Sequence, residues 1–344
     1  MSLKIYFLIS ILLVFILLSA LNYYQTSRYH GPKSDHFDGN VFVNMPPYSQ
    51  HNFFDVIRWS FTANRAKWPT HVDNNSLPNL NPVSGNQVKT TYINHATMLL
   101  QTENLNLLTD PIWTKRASPF FWFGPKRVRA PGVAFENLPQ IDVVLVSHNH
   151  YDHLSLPTLK MLSDKFHPVI IVPLGLKDLL ERHGILNVIE LDWWQTYSVK
   201  NAVITFLPTQ HWSQRGVGDK CKTFWGSYGI VTSNKHIYFA GDTGYSPLFK
   251  EIRQKWGKPD LALLPIGSNQ PAWFMKENHM NPAEAVQAHQ DLQATHSIGI
   301  HFGTFQLSDE AIDQPLIDLN HAKSIQKLVS DEFITLDVGE SRIY

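Results

Sequence analysis

Residues 147–155 read SHNHYDHLS, directly after the apolar run IDVVLV at 141–146. His148, His150, Asp152 and His153, all metal-ligand types, crowd into positions 148–153. Burying so many rings and a carboxylate together without a cation would be costly. The stretch therefore calls for a fold that ends a buried strand here and brings metal to its tip. In extended backbone alternate residues face the same way, so His148 and His150 reach one ion together. After the turn, Asp152 and His153 reach a second ion close by. Imidazole and carboxylate donors suit zinc, and also iron or manganese. The single cysteine, Cys221, rules out an intrachain disulfide and a thiolate zinc site.

Such a site needs ligands from distant segments, and three share one pattern of a strand followed by a ligand-type residue. ITFLPTQHW delivers His211, IYFAGDTG delivers Asp242, and SIGIHFG delivers His301. Gly241 and Gly244 let the backbone bend tightly around Asp242. From about Val88 onward, short runs rich in Val, Ile, Leu and aromatics alternate with turn residues, as strands do. Helical stretches interrupt them: LPTLKMLSDKF, LKDLLERHG and NPAEAVQAHQDL, the last with Asn281 as N-cap, Pro282 at the first helical position and Glu284 at the third. The expected fold class is α/β, with two layers of sheet between helices. No linker interrupts 88–344, so this is one domain.

The segment IYFLISILLVFILLSALNYY, residues 5–24, carries no charge. A helix of ~20 residues spans roughly 30 Å, the hydrocarbon thickness of a bilayer. The expectation is a membrane anchor at 1–24, uncleaved rather than a secretory signal. An irregular, proline-rich arm follows at 25–87, in which FFDVIRWSF (53–61) reads as a short amphipathic helix, either packing on the main domain or touching a membrane surface. Formal net charge is zero, so nothing draws the chain electrostatically to nucleic acid.

The ligand order resembles the metallo-β-lactamase superfamily. That resemblance implies an αββα sandwich over 88–344 and two Zn²⁺ ions. His148, His150 and His211 would hold the first; Asp152, His153 and His301 would hold the second; Asp242 would bridge them. Further stretches, among them DPIWTKRASP, LPQIDVVLVSHNHYDHL, VIELDWW, WFMKENHMNPAEAV, IHFGTF and GESRIY, are similar to the branch of that superfamily that hydrolyses N-acylphosphatidylethanolamine. One departure is Asn94 in INHAT, where that branch leads one to expect glycine. The implied activity is a phospholipase D-type cleavage to N-acylethanolamine and phosphatidic acid, with a membrane phospholipid as substrate and a homodimer as the assembly.

Within that reading Asp152 and Asp242 are catalytic as well as ligating, and His279 either protonates the leaving group or anchors the phosphate. His95 and Asp110 are candidates for supporting the ligands. His289 and His296 are assigned to structure, and His30, His36, His51, His71, His167, His183 and His236 to ordinary roles. The aromatic FFWFGPKRVR (120–129) is either a protected plug or a lipid contact, and PAWFMK (271–276) lines an acyl-chain path or packs in the core. Competing functions are another hydrolase on the same metal core (a lactonase, a sugar-phosphate hydrolase or a β-lactamase) and a catalytically silent metal-binding scaffold.

Overall fold

Alternation along the strands decides which layer each side chain joins. In the computed structural model, which describes residues 10, 16, 19–48, 51–233, 235–329 and 331–344, IDVVLV becomes strand β4 (Val143–Leu145). Val143 and Leu145 face one apolar layer, Val144 and Val146 the other. β4 lies in a seven-stranded sheet of order β14-β1-β2-β3-β4-β5-β6. Its neighbours are β1 (Lys89–Asn94), β2 (Thr97–Gln101), β3 (Asn106–Thr109), β5 (Val169–Pro173), β6 (Val188–Leu191) and β14 (Ser341–Ile343). A second seven-stranded sheet has the order β13-β12-β11-β10-β9-β8-β7. It comprises β7 (Thr196–Val199), β8 (Ala202–Leu207), β9 (Ser227–Val231), β10 (His236–Phe239), β11 (Leu261–Pro265), β12 (His296–Ile300) and β13 (Phe333–Thr335).

The two sheets meet across Leu100, Val143, Leu145 and Ile171 on one side and Phe206, Tyr228, Phe239, Leu263 and Ile298 on the other. Helices α2 (Leu156–Phe166) and α3 (Lys177–Arg182) cover the first sheet through Leu159, Leu162, Leu179 and Leu180. Helices α4 (Leu248–Lys255), α6 (Pro282–Leu292) and α7 (Gln314–Ile325) cover the second through Phe249, Ile252, Val286, Leu292 and Leu319. This is the αββα sandwich expected. β8 and β10 each pair antiparallel with β9, while β10, β11 and β12 are mutually parallel. β8, β10 and β12 therefore all end on one rim. Two further helices are α1 (Phe53–Thr62) and α5 (Ala272–Met275).

The N-terminal anchor expected over 1–24 is corrected. Among the described residues no helix is long and apolar enough to cross a membrane, so neither a transmembrane helix nor a membrane location through a single N-terminal anchor stands. Residues 1–9, 11–15, 17 and 18 lie outside the described residues. Residues 19–25 are helical, and the end of this helix is tied to the sandwich by polar contacts. Arg182 donates to Tyr23 O and Thr26 O at 2.6 Å each, placing a cation where helix carbonyls lack partners. Asn22 accepts from Val217 N at 2.8 Å.

The arm is not wholly irregular. α1 forms where an amphipathic helix is expected, and Asn52 and Asp55 make a capping box at its start. Farther upstream His36, only 7% exposed, lies between Asp35 (2.6 Å) and Asp192 (2.8 Å) and stacks on Phe224. Burial opposes the charge on this ring, but the two carboxylates outweigh it and raise its pKa. A raised folded-state pKa gives stability that is complete below the unfolded value near 6.5 and is lost as pH rises through the folded value. His36→Gln is thus expected to lower the thermal midpoint most at about pH 5–6, with the gap to the parent narrowing in alkali. An equal gap at all pH values would show that the ring acts by packing alone.

Candidate metal centre

The rim where β4, β8, β10 and β12 end carries the expected ligands. The 148–153 loop follows β4, and His211, Asp242 and His301 follow β8, β10 and β12. Two different backbone devices turn Asp242 inward. Gly241 has φ +61 and sits where a Cβ would come within 2.6 Å of Ser147 Cβ. Gly244 is held so close that a Cβ would meet Glu277 O at 2.2 Å. His301 itself takes φ 63, the left-handed region that non-glycine residues seldom occupy outside functional turns.

Two triads result. His148 Nε2 lies 2.8 Å from His150 Nδ1, and His211 Nε2 lies 3.3 Å from the same atom. Across from them, Asp152 Oδ2 is 3.4 Å from His153 Nε2 and 3.4 Å from His301 Nε2. Asp242 stands between the sets. Its Oδ2 is 3.1 Å from His153 Nε2, 3.9 Å from His211 Nε2 and 4.0 Å from His148 Nε2, while Oδ1 is 3.1 Å from His301 Nε2. The structure brings all seven residues together.

Hydrogen bonds on the outer edges fix which nitrogen faces in. His153 Nδ1 donates to Asp110 Oδ2 at 2.6 Å. The Ser147 hydroxyl donates to the same oxygen at 2.6 Å and accepts from His148 Nδ1 at 2.9 Å. His211 Nδ1 donates to Asn278 O at 3.0 Å. With Nδ1–H turned outward on all three rings, Nε2 is in each case the atom that faces into the site. Asp110 and His95, the two support candidates, are both at the site. His95 Nε2 is 3.1 Å from Asp152 Oδ2, and burial and the nearby His301 lower its pKa to about 3, so the ring is neutral and donates to the carboxylate. In the INHAT turn it is His95 that takes the left-handed φ of 49. Asn94 stays in β1 and donates to Ile112 O at 3.2 Å, so no glycine is needed at that position.

The electrostatics fit cations. Burial, together with neighbouring imidazoles, pushes His148 well below the ordinary histidine range. Burial also takes His150 down to about 4. A cluster of neutral rings offers lone pairs with no protons in the way. Two inward imidazole nitrogens 2.8 Å apart are placed to share a cation. On the other side burial works against charge, yet Asp242, Asp152 and Asp110 hold His153 protonated far above its usual range. His301 is raised to about 9, mainly by Asp242 against the same burial penalty. That side demands positive charge. His150 Nε2, His153 Nε2, His301 Nε2 and Asp242 Oδ1 are buried without a hydrogen-bond partner. The donor set therefore fits a pair of divalent ions.

A cavity of about 540 Å³ opens onto the triads. His150, Asp152, Asp242 and His279 form its floor; Val56, Trp59, Phe274, Met275 and Leu307 form apolar walls. His279 Nδ1 is 3.8 Å from Asp242 Oδ2. Its position is set by the Asn281–Glu284 capping box that starts α6, with both bonds at 3.0 Å. Burial takes His279 down to about 4, so at neutral pH it is uncharged. Phe274 and Met275, from PAWFMK, line the cavity as the acyl-path reading expects. The aromatic loop at 120–129 is not a plug, because Phe121 is 90% exposed and Trp122 and Phe123 are exposed beside it.

Some participants escape a sequence reading. His51, assigned an ordinary role, stacks on Phe274 at 4.6 Å in the cavity wall. Arg215, buried, donates to both Asn149 O (2.7 Å) and Leu154 O (2.8 Å), bracketing the ligand loop, and lies 4.0 Å over the Tyr151 ring. Asn278 holds His211. None carries a local signal, since each acts on a group far away in sequence.

A profile described as "Beta-lactamase superfamily domain" matches residues 105–302. A Caenorhabditis elegans protein named "N-acyl-phosphatidylethanolamine-hydrolyzing phospholipase D 1" is 40% identical over 264 residues, 73% of this chain and 74% of the relative. A Saccharomyces cerevisiae protein named "N-acyl-phosphatidylethanolamine-hydrolyzing phospholipase D, mitochondrial" is 41% identical over 61% of this chain and 46% of its own length. Among solved structures, a possible metal-dependent hydrolase from Veillonella parvula superposes with a TM-score of 0.61 at 16% identity, over 74% of this chain and 99% of that one. It shares the fold.

Proposed function

We propose that this chain, which belongs to the beta-lactamase superfamily and is a metal-dependent hydrolase of that family, cleaves the phosphodiester of N-acylphosphatidylethanolamine and releases N-acylethanolamine and phosphatidic acid. The observation that carries the reading is the pairing of two triads sharing Asp242 with a cavity whose walls are apolar. A phospholipid has that same division, a phosphate joined to alkyl chains. The 40% identity to a relative named for this hydrolysis supports it further.

Bound at the triads, two divalent ions, Zn²⁺ by donor type, would acidify a water and neutralise charge on the phosphate. The residues do the rest. Asp242 fixes the spacing of the two triads. Asp152, whose Oδ2 accepts from His95, keeps its other oxygen to orient the attacking water. Water adds to phosphorus, the bond to the ethanolamine oxygen breaks, and that oxygen takes up a proton. His279 is uncharged, so its role in the cavity floor is to donate a hydrogen bond to the phosphate or the leaving oxygen rather than to act as a free acid. Val56, Trp59, Phe274 and Met275 take the alkyl chains out of water.

The test is product identity by mass spectrometry, with metal content measured on the same sample. N-acylphosphatidylethanolamine in mixed micelles should yield phosphatidic acid and N-acylethanolamine in equal amounts. His279→Ala should lower kcat about 10²-fold, with His279→Gln, which keeps an N–H donor, falling less. Hydrolysis of lactones or lactams alone, with no phosphodiester cleaved, would sink the reading.

A further inference from the structure

His211 follows the end of β8, so its backbone N–H and C=O have no strand partner, and both are buried. One side chain serves both. Asn44 Nδ2 donates to His211 O at 2.7 Å, and Asn44 Oδ1 accepts from His211 N at 3.1 Å. A carboxamide here imitates a neighbouring strand. Asn44 is itself only 4% exposed, and Trp225 Nε1 donates to its oxygen at 3.3 Å, which fixes the amide's orientation. The segment carrying it is anchored just before Asn44, by Phe42 N donating to Cys221 O at 2.8 Å and Val43 N to His36 O at 2.9 Å. Four residues on, the Tyr48 hydroxyl donates to Asn278 Oδ1, and Asn278 O accepts from His211 Nδ1. Backbone and ring of His211 are thus both held from the arm, which lies outside residues 105–302 matched by the family profile.

We propose that Asn44 is the positioning residue of the His148–His150–His211 triad, with Tyr48 as its auxiliary, so that the N-terminal arm is part of the metal centre rather than a covering laid over the domain. Of the three ligands in that triad, two come from the loop after β4 and share its backbone. His211 alone arrives from the other sheet, and its aim depends on where residue 211 is pinned. Without Asn44, His211 N loses its partner, His211 O keeps only the Tyr48 hydroxyl at 3.4 Å, and the ring can swing away from His150. The second triad has its own supports in Asp110 and His95 and does not touch Asn44.

The inference rests on the two-metal reading of the site and not on which ester is cleaved. Its test is Zn²⁺ binding by the full chain, by competition with a chromophoric chelator, followed by metal analysis. The parent should bind two ions. Asn44→Ala should keep its circular dichroism and one tight ion, with the other weakened about 10–100-fold, the range for losing a partner that orients a ligand. Asn74→Ala, which removes an arm contact to Ala130 O that involves no triad residue, should leave both ions in place. If Asn44→Ala fails to fold, Tyr48→Phe decides, with the same single ion weakened several-fold. Two ions bound with parental affinity in the folded Asn44→Ala protein, or in Tyr48→Phe where that is the deciding variant, would overturn the proposal. So would a parent that binds no metal, which would remove the two-metal reading as well. A parent that binds two ions but spares the phospholipid would remove only the proposed substrate.

Discussion

Asp242→Asn is expected to abolish hydrolysis, by on the order of 10³-fold or more, while leaving the sandwich folded. Among the described residues no other carboxylate joins groups on both triads. Its Oδ2 lies 3.1 Å from His153 Nε2 and 3.9 Å from His211 Nε2, and Oδ1 faces His301 Nε2 at 3.1 Å. An amide in its place has one acceptor instead of two, and its NH₂ would confront the protonated Nε2 of His153 or His301, or a bound cation. The negative charge that balances the cationic side is lost at the same time. Although burial opposes that charge, His153 and His301 hold the Asp242 carboxyl well below its usual range, so it is fully ionised throughout the working pH. The checks are turnover, bound metal per chain and far-UV circular dichroism on one preparation. His150→Ala should do the same to the first triad. Parental turnover by either variant after stringent chelation would remove the metal mechanism.

Asp110→Asn should be damaging to a lesser degree, although Asp110 touches no reacting atom. Its carboxylate accepts from three donors: Ser147 N at 2.7 Å, Ser147 Oγ at 2.6 Å and His153 Nδ1 at 2.6 Å. An asparagine cannot accept from all of them. One edge becomes an NH₂, and whichever way it turns it meets an N–H or O–H. The easiest relief is for His153 to move its proton to Nε2, which turns a ligand into a donor inside the site. The expected result is a 10–100-fold loss of affinity at the second triad and a corresponding loss of rate at limiting metal. Stability should fall too, by about 1–3 kcal/mol, the cost of stranding a buried polar group. Titration with Zn²⁺ separates the two effects, because saturating metal restores rate only if binding is what was lost. Unchanged metal affinity would mean that Asp110 merely ends a strand.

The ligands were legible because their residue types have few other reasons to lie together. His148, His150, Asp152 and His153 are crowded within one loop, and His211, Asp242 and His301 each follow an apolar run. Strands and helices with strong periodicity, such as β4 and α6, were equally plain. Helix α7 was not anticipated, because QPLIDLNHAKSI has no one-sided apolar pattern and is defined by packing on the second sheet; α4 was passed over although Leu248, Phe249 and Ile252 in LFKEIRQK mark an apolar face. The supports of the ligands were hidden for another reason. Asn44 acts 167 residues away from its own position, on backbone atoms that every residue possesses. Nothing in local sequence marks such a partner. The apolar N-terminus misled in the opposite direction. Its length matches a bilayer, but a hydropathy window takes no account of polar tethers such as Arg182 to Tyr23 O and Thr26 O at the helix end.

The rim where both sheets end has a consequence for how the molecule holds together. Each triad draws two ligands from the β4 loop of one layer and a single histidine from the other: His211 for one, His301 for the other. Every ion bound there is a rivet through the seam between the halves of the sandwich. Neither half alone can complete a site, so tight occupancy certifies that the layers have docked in register.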